Sequence, residues 1–133
     1  MRLLEPTVEP WYSAYAWWNV YPLGWDHPGR SPGPKLRSAQ AAQVGDLFWE
    51  VVGELRATRV IIVSGADWWP DVRERLSLGT LERRAMPILA AGRQLDATLV
   101  ATYHPGAHIK GLTRDAFAAR IAAEIKAVED RAA

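Results

Sequence analysis

The sequence predicts an α/β domain with a short, mainly parallel sheet. Strand-like, β-branched runs alternate with helical patterns along the chain, and this alternation is typical of parallel sheets. The chain has 133 residues, which fits one domain with a single core, so we expect residues 1–133 to form one unit. Its composition, 49% hydrophobic and 23% charged, is that of an ordinary globular protein.

The first predicted element is a strand over residues 12–21. This segment, YSAYAWWNVY, is rich in aromatic residues, which strands favour. Prolines and glycines in residues 22–34 predict a long irregular loop, and loops of this length are usually functional. Apolar residues at three- and four-residue spacing then predict an amphipathic helix over residues 38–56.

A second strand is predicted in residues 59–66. Their sequence, RVIIVSGA, is a short β-branched run that ends in Ser-Gly, typical of a strand buried on both faces. Pro70 suits the first turn of a helix that follows.

The last third of the chain predicts two strands and a helix. Residues 88–91 are a candidate short strand, and residues 95–103 predict a strand that ends at His104. An apolar stripe predicts a final helix over residues 114–131, with Thr113 as its N-cap. The stripe consists of Phe117, Ile121, Ile125 and Val128.

Composition excludes several classes of function. The chain has no cysteine, which excludes disulfides, thiolate nucleophiles and thiolate metal ligands. It contains no apolar run near the roughly 20 residues of a membrane span, and the N-terminal MRLLEPTVEP does not resemble a signal peptide. We therefore expect a cytoplasmic protein with no membrane partner. A net charge of +1 neither requires nor excludes nucleic acid.

Three polar groups stand at predicted strand ends, where α/β sheets bind ligands. They are Asn19, the Ser64-Gly65 turn and His104. The Asn19 amide combines a donor with an acceptor, as reading a pyrimidine edge requires. His104 can place an N–H donor or a positive charge against developing negative charge. We expect these groups to meet in one site, although each taken alone also fits a side chain with a purely structural hydrogen bond.

Other chemistries find less support. His27, His104 and His108 are the three histidines, and their spacing fits no zincin motif, so no metal is expected. Phosphate-binding glycine motifs are absent from the sequence, so no cofactor is expected. Ser64 lies outside a G-x-S-x-G context. A hydrolytic dyad of His104 with Asp67 or Asp26 stays open as an alternative.

Seven tryptophans include two adjacent pairs, Trp17-Trp18 and Trp68-Trp69. Core and rim packing is the first interpretation, because each indole buries a large area. A base-stacking surface is the second.

The order of these motifs resembles the C-terminal part of the uracil-DNA glycosylase superfamily, over about residues 12–127. The most specific element is His104-Pro105-Gly106, a His-Pro-small motif at the end of the last strand, with glycine where serine is commoner. The resemblance implies a three-layer α/β/α sandwich without a cofactor. It also implies a site for a base flipped out of single- or double-stranded DNA.

The resemblance assigns roles to individual residues. His104 matches the histidine that stabilises negative charge on the departing uracil, and Asn19 matches the asparagine that reads the uracil edge. The loop from Ala107 to Lys110 matches the segment that enters the minor groove, with His108 or Ile109 as its wedge. Gly106, just before it, is expected to contact DNA as well. Lys110 would then contact phosphate.

One part of the family pattern is absent. The family carries a water-activating acid on an earlier strand, and residues 1–11 hold no such motif. The resemblance therefore implies an N-terminally truncated domain that lacks the first strand. Its neighbouring strands would close up, or residues 2–5 or a second copy of the chain would complete the sheet.

Without that acid we expect base binding with weak or no glycosylase activity, because loss of a general base removes about 10²–10⁴ in rate. Two other functions remain open. One is a non-catalytic module that binds nucleic acid or nucleotides. The other is an unrelated small-molecule hydrolase that uses His104.

Overall fold

A computed structural model describes residues 34–104 and 109–133. The predicted strand over residues 12–21 lies outside this part of the chain, as does almost all of the predicted loop that follows. The described elements are three helices and four strands, a mixed α/β arrangement as predicted. In chain order they are α1 (Pro34–Glu54), β1 (Arg59–Val63), α2 (Trp69–Arg75), β2 (Glu82–Arg83), β3 (Ile88–Gln94), β4 (Ala97–Thr102) and α3 (Arg114–Ala132).

Three predicted helical features are confirmed. Helix α1 begins at Pro34, before the predicted start, as suits a residue whose ring already has a helical φ. Pro70 lies in the first turn of α2. Thr113 caps α3, and its Oγ1 accepts a hydrogen bond from Ala116 N at 3.1 Å.

The sheet is mixed, and the prediction of a mainly parallel sheet is wrong for the described residues. Its strand order is β1-β4-β3-β2, and only β1 and β4 run parallel. Strand β3 is antiparallel to both β4 and β2. The physical reason is the connection between β3 and β4, which consists of Leu95 and Asp96 alone. Two residues can join antiparallel strands but cannot make the long crossover that parallel neighbours need.

The hairpin turn between β3 and β4 has positive φ at both residues, 48° at Leu95 and 64° at Asp96. This is the geometry of a type I′ turn, which usually carries Asn-Gly or Asp-Gly. The predicted strand over residues 95–103 therefore starts later, at Ala97, and the candidate strand over residues 88–91 continues to Gln94.

Two clusters of buried side chains lie on opposite faces of the sheet. Leu99 and Ala101 of β4 belong to the cluster formed with α1 and α2. Val100, between them, belongs to the cluster formed with α3. Alternate side chains of a strand point to opposite faces, so helices cover the sheet on both sides. Strand β4 lies inside the sheet, between β1 and β3, and all of its residues are buried.

Strand β1 is less buried than its sequence predicts. Ile62 is its one buried residue, Arg59, Val60 and Ile61 are half-buried, and Val63 is exposed. Both faces of β1 are nevertheless covered in part, since Val60 packs against the cluster formed with α1 and α2 and Ile61 against the cluster formed with α3. Among the described residues β1 pairs with β4 alone.

Helices α1 and α2 meet at Gly45. A Cβ atom at this position would overlap the carbonyl oxygen of Arg75, so only glycine allows this approach. Nearby, Trp49 Nε1 donates a hydrogen bond to Leu76 O at 2.8 Å. Trp49 therefore has the packing role that is usual for a tryptophan with a single polar atom.

Ion pairs attach α3 to the sheet layer. Arg59 makes two hydrogen bonds to the Glu129 carboxylate, at 3.3 and 3.0 Å. Arg84, after β2, donates from Nε to Glu124 Oε1 at 2.7 Å. This hydrogen bond is the main cause of a raised pKa at Arg84.

None of the three described helices has both the length and the apolar character that crossing a bilayer requires.

Candidate strand-end site

Parallel pairing places the residues that follow β1 beside the residues that follow β4. Val63 is paired with Thr102, and Ser64 N donates to Thr102 O at 2.9 Å. The carboxyl ends of both strands thus lie at one end of the sheet. We call Ser64, Gly65, Tyr103 and His104 the strand-end site. Two of the three predicted polar groups meet there, whereas Asn19 lies outside the described residues.

His104 follows the most firmly held strand of the sheet. Its side chain is exposed. Just before it, Tyr103 N and Thr102 Oγ1 both donate to Pro87 O, each at 3.0 Å. The backbone that carries the imidazole is therefore fixed from the β3 side as well as from the β1 side, as a preorganised donor requires.

Ser64, predicted as a substrate-binding residue, makes hydrogen bonds within the protein. It is buried, with 8% of its surface exposed. Its hydroxyl donates to Gly65 O at 3.0 Å, and its N–H is bonded to β4. Both donors are thus engaged within the protein, so Ser64 holds the end of β1 in shape.

Gly65 has open space beside its backbone. Its carbonyl oxygen accepts hydrogen bonds from Trp68 N at 3.1 Å and Trp69 N at 3.0 Å, which start the turn into α2. A Cβ added at Gly65 would meet no atom of the described residues within 4 Å. A ligand beside His104 can therefore approach the main chain closely here.

The predicted DNA-contacting loop is described only in part. Gly106 and His108 lie outside the described residues. Ile109 is half-buried, and its carbonyl accepts from Leu112 N at 3.1 Å. Lys110 is exposed. Lys110 thus has the accessibility that a phosphate contact needs, while Ile109 buries part of its surface against the protein.

The antiparallel hairpin brings a further residue to this end of the sheet. Ile88, the first residue of β3, is paired with Thr102 at the end of β4. Met86, two residues earlier, is 61% exposed. Sequence reasoning missed Met86, because its position depends on the antiparallel register. The short interval between β3 and β4 was the available signal.

The turn after Gly65 carries two side chains of interest. Asp67 is exposed and Trp68 is half-buried. Trp69, the other member of the pair, packs against the core cluster beneath α1 and α2. The tryptophan pair thus divides between packing and partial exposure, and Asp67 is the described candidate for the aspartate of a His-Asp dyad. Asp26 lies outside the described residues.

Metal binding finds no support in the part of the chain that the structure describes. Within residues 34–104 and 109–133, no group of three or more histidine, aspartate or glutamate side chains could hold an ion.

Comparison of the chain with protein-family models, curated proteins and solved structures gives no match. The geometry of the strand-end site is therefore the basis for a functional proposal. That geometry is an exposed imidazole beside an open glycine turn, at the ends of two parallel strands.

Proposed function

We propose that this protein binds a base flipped out of DNA at the strand-end site, as a uracil-DNA glycosylase-like protein with weak or no hydrolytic activity. The parallel pairing of β1 and β4 is the observation that supports this most, because the residues that follow both strands then lie at one end of the sheet. Parallel strand ends are where α/β sheets bind ligands.

The chemistry assigned to His104 follows from charge. Breaking the N-glycosidic bond of a uracil nucleotide leaves negative charge on the departing base. An N–H donor aimed at that base stabilises the charge as it develops. His104 directly follows Thr102 and Tyr103, whose hydrogen bonds to Pro87 and Ser64 fix the end of the strand. Little reorganisation of this strand end is then required during the reaction.

Weak activity is the expected consequence of a missing general base. The water-activating motif of the superfamily has no counterpart in the sequence, and loss of such a base lowers rates by about 10²–10⁴. Binding depends on other groups and is retained. Asn19 would read the base edge through its amide, and Lys110 would contact a phosphate.

The test is release of free uracil from a uracil-containing single-stranded oligonucleotide. We expect slow release by the wild-type protein and none by His104→Ala, with weaker oligonucleotide binding by the variant. Fast turnover that survives the substitution would contradict the role of His104. Arg120→Ala replaces an exposed residue of α3 and is the control for losses that come from preparing a variant protein.

A small-molecule hydrolase is the second candidate, because Asp67 is exposed on the turn that follows Gly65. The dependence of binding on salt concentration distinguishes the two functions. Binding through phosphate contacts weakens steeply as salt rises, whereas a neutral small substrate shows little such dependence. Asp67→Asn should abolish a His-Asp hydrolase and leave oligonucleotide binding unchanged.

A further inference from the structure

Met86 lies on the β3 side of the strand-end site. Single exposed apolar residues are common on protein surfaces, so the exposure of Met86 does not by itself indicate a function. The position of Met86 in the fold does indicate one. Pro87, the next residue, accepts hydrogen bonds from Tyr103 N and Thr102 Oγ1, directly before His104. Met86 is therefore joined through a hydrogen-bonded backbone to the strand end that bears the imidazole.

The loop that carries Met86 is fixed at both ends. Arg84 N donates to Leu89 O at 3.1 Å, and Ile88 N donates to Ala85 O at 3.0 Å. Pro87 and Ile88 are buried, while Met86 itself is 61% exposed. Because this backbone is already ordered, an apolar side chain on it can contact a ligand with little further loss of backbone conformational entropy.

The order of the strands decides what surrounds a ligand at His104. Strand β4 lies between β1 and β3. The turn with Gly65 and the half-buried Trp68 is therefore on one side, and Met86 is on the other. Indole rings and thioethers both make favourable contacts with the faces of aromatic rings. This surrounding suits a planar heterocycle.

We infer that Met86 is a ligand-contacting residue of the strand-end site, which packs its thioether against a base of a bound single strand. This inference rests on the proposed function. It adds an apolar contact to the polar contacts of His104 and Lys110. Apolar contacts, unlike phosphate contacts, are insensitive to screening by salt.

The experiment measures binding of a labelled, uracil-containing single-stranded oligonucleotide at several salt concentrations. Met86→Gln keeps the length of the side chain and replaces the thioether by an amide. We expect it to weaken binding about fivefold at every salt concentration, with the salt dependence unchanged. Met86→Leu, which restores an apolar side chain, should bind within about twofold of the wild type.

Leu95→Gln is the matched control. Leu95 is also a large, exposed apolar residue, 76% exposed, but it lies at the opposite end of β3. This variant should bind like the wild type. Equal losses in Met86→Gln and Leu95→Gln, or wild-type binding by Met86→Gln, would overturn the inference.

His104→Ala separates this inference from the proposed function. If His104→Ala loses binding and Met86→Gln does not, Met86 has no role and the proposed function stands. If Met86→Gln loses binding and His104→Ala does not, the strand contacts Met86 but not His104. The proposed function then fails, and Met86 is not part of a site built around His104. Absence of binding by the wild-type protein also contradicts both.

Discussion

At the scale of single residues, Gly65 offers a direct test of where a ligand lies. A side chain can be added here without backbone strain, since no atom of the described residues lies within 4 Å of an added Cβ and φ is not positive. Gly65→Leu should therefore fold normally and fill the space beside His104. We expect oligonucleotide binding to fall roughly tenfold or more, because the ligand would have to displace the leucine.

Gly79→Leu is the matched control for this substitution. Gly79 also has no atom within 4 Å of an added Cβ. It precedes Thr80, whose hydroxyl is hydrogen-bonded to Gln94. Gln94 lies at the end of β3 that is far from the strand-end site. The two variants should unfold at similar temperatures and differ in binding. Unchanged binding by Gly65→Leu would exclude this space as part of the ligand site.

Residue types indicated part of this site and left part of it hidden. His104 and Gly65 could be predicted because each directly follows a strand-like run, and strand ends are where such sheets carry polar groups. The sequence could not predict that Ser64 uses both of its donors internally, since that depends on the backbone geometry after β1. Met86 stayed hidden for a related reason, as only the register of β3 against β4 brings it to the site.

At the scale of elements, the turn of the β3–β4 hairpin has a sequence that does not suit its backbone conformation. Leu95 and Asp96 both have positive φ, which costs most side chains about 1–2 kcal/mol each. Leu95→Asn with Asp96→Gly would supply the residues that type I′ turns favour. We expect the free energy of unfolding to rise by about 1–2 kcal/mol, as measured by urea denaturation.

Existing contacts of the hairpin should survive this change. Arg93 Nη2 donates to the backbone oxygen of Asp96 at 3.3 Å, and Gln94 Nε2 donates to Ser77 O at 2.9 Å. Neither involves the side chains that are replaced. Leu95→Gln, which leaves both φ angles strained, should show no gain. A similar gain in Leu95→Gln would mean that exposure of the leucine, and not its backbone, is the cause.

Predicting elements was easiest where one local pattern was sufficient. The apolar stripes of α1 and α3, the cap at Thr113 and the proline of α2 all act within a few residues. The hairpin was missed because its turn lacks the glycine or asparagine that usually marks one. That omission also made the sheet look mainly parallel, since β3 and β4 were not recognised as the two arms of a hairpin.

At the scale of the whole molecule, the sheet and α3 are held together by apolar packing and by the ion pairs of Arg59 and Arg84. The packing brings Ile125 and Val128 of α3 against Ile88, Ala91 and Val100 of the sheet. The apolar stripe of α3 could be predicted from sequence, but the ion pairs could not. Glu124 and Arg84 are 40 residues apart in the chain, and no local pattern links them.

Glu124 is accordingly the place to test how α3 contributes to stability. Its carboxylate is 13% exposed and accepts from Arg84 Nε at 2.7 Å, while Arg84 also pairs with the exposed Glu82 at 3.1 Å. Glu124→Gln leaves the partly buried Arg84 with a weaker partner. We expect the free energy of unfolding to fall by about 1–3 kcal/mol in urea denaturation, because an underpaired charge costs more than the pair contributes.

Arg84 stays protonated at any ordinary pH, so the destabilisation by Glu124→Gln is expected throughout this range. The hydrogen bond to Glu124 is the largest cause of the raised pKa of Arg84. A pKa raised by folding stabilises the folded protein wherever the group is protonated, and this contribution is lost only as pH rises through the raised value. The effect of Glu124→Gln should therefore be constant from neutral to mildly alkaline pH.

Asp130→Asn is the control on the same helix. Asp130 pairs with Lys126 at 2.6 Å, but both side chains are well exposed, at 64% and 76%. Exposed pairs contribute little, so this variant should match the wild type. Since Arg84 also begins the loop that bears Met86, Glu124→Gln should weaken oligonucleotide binding as well, and Asp130→Asn should not. A destabilised Glu124→Gln protein that binds normally would show that the loop keeps its shape without the ion pair between Arg84 and Glu124.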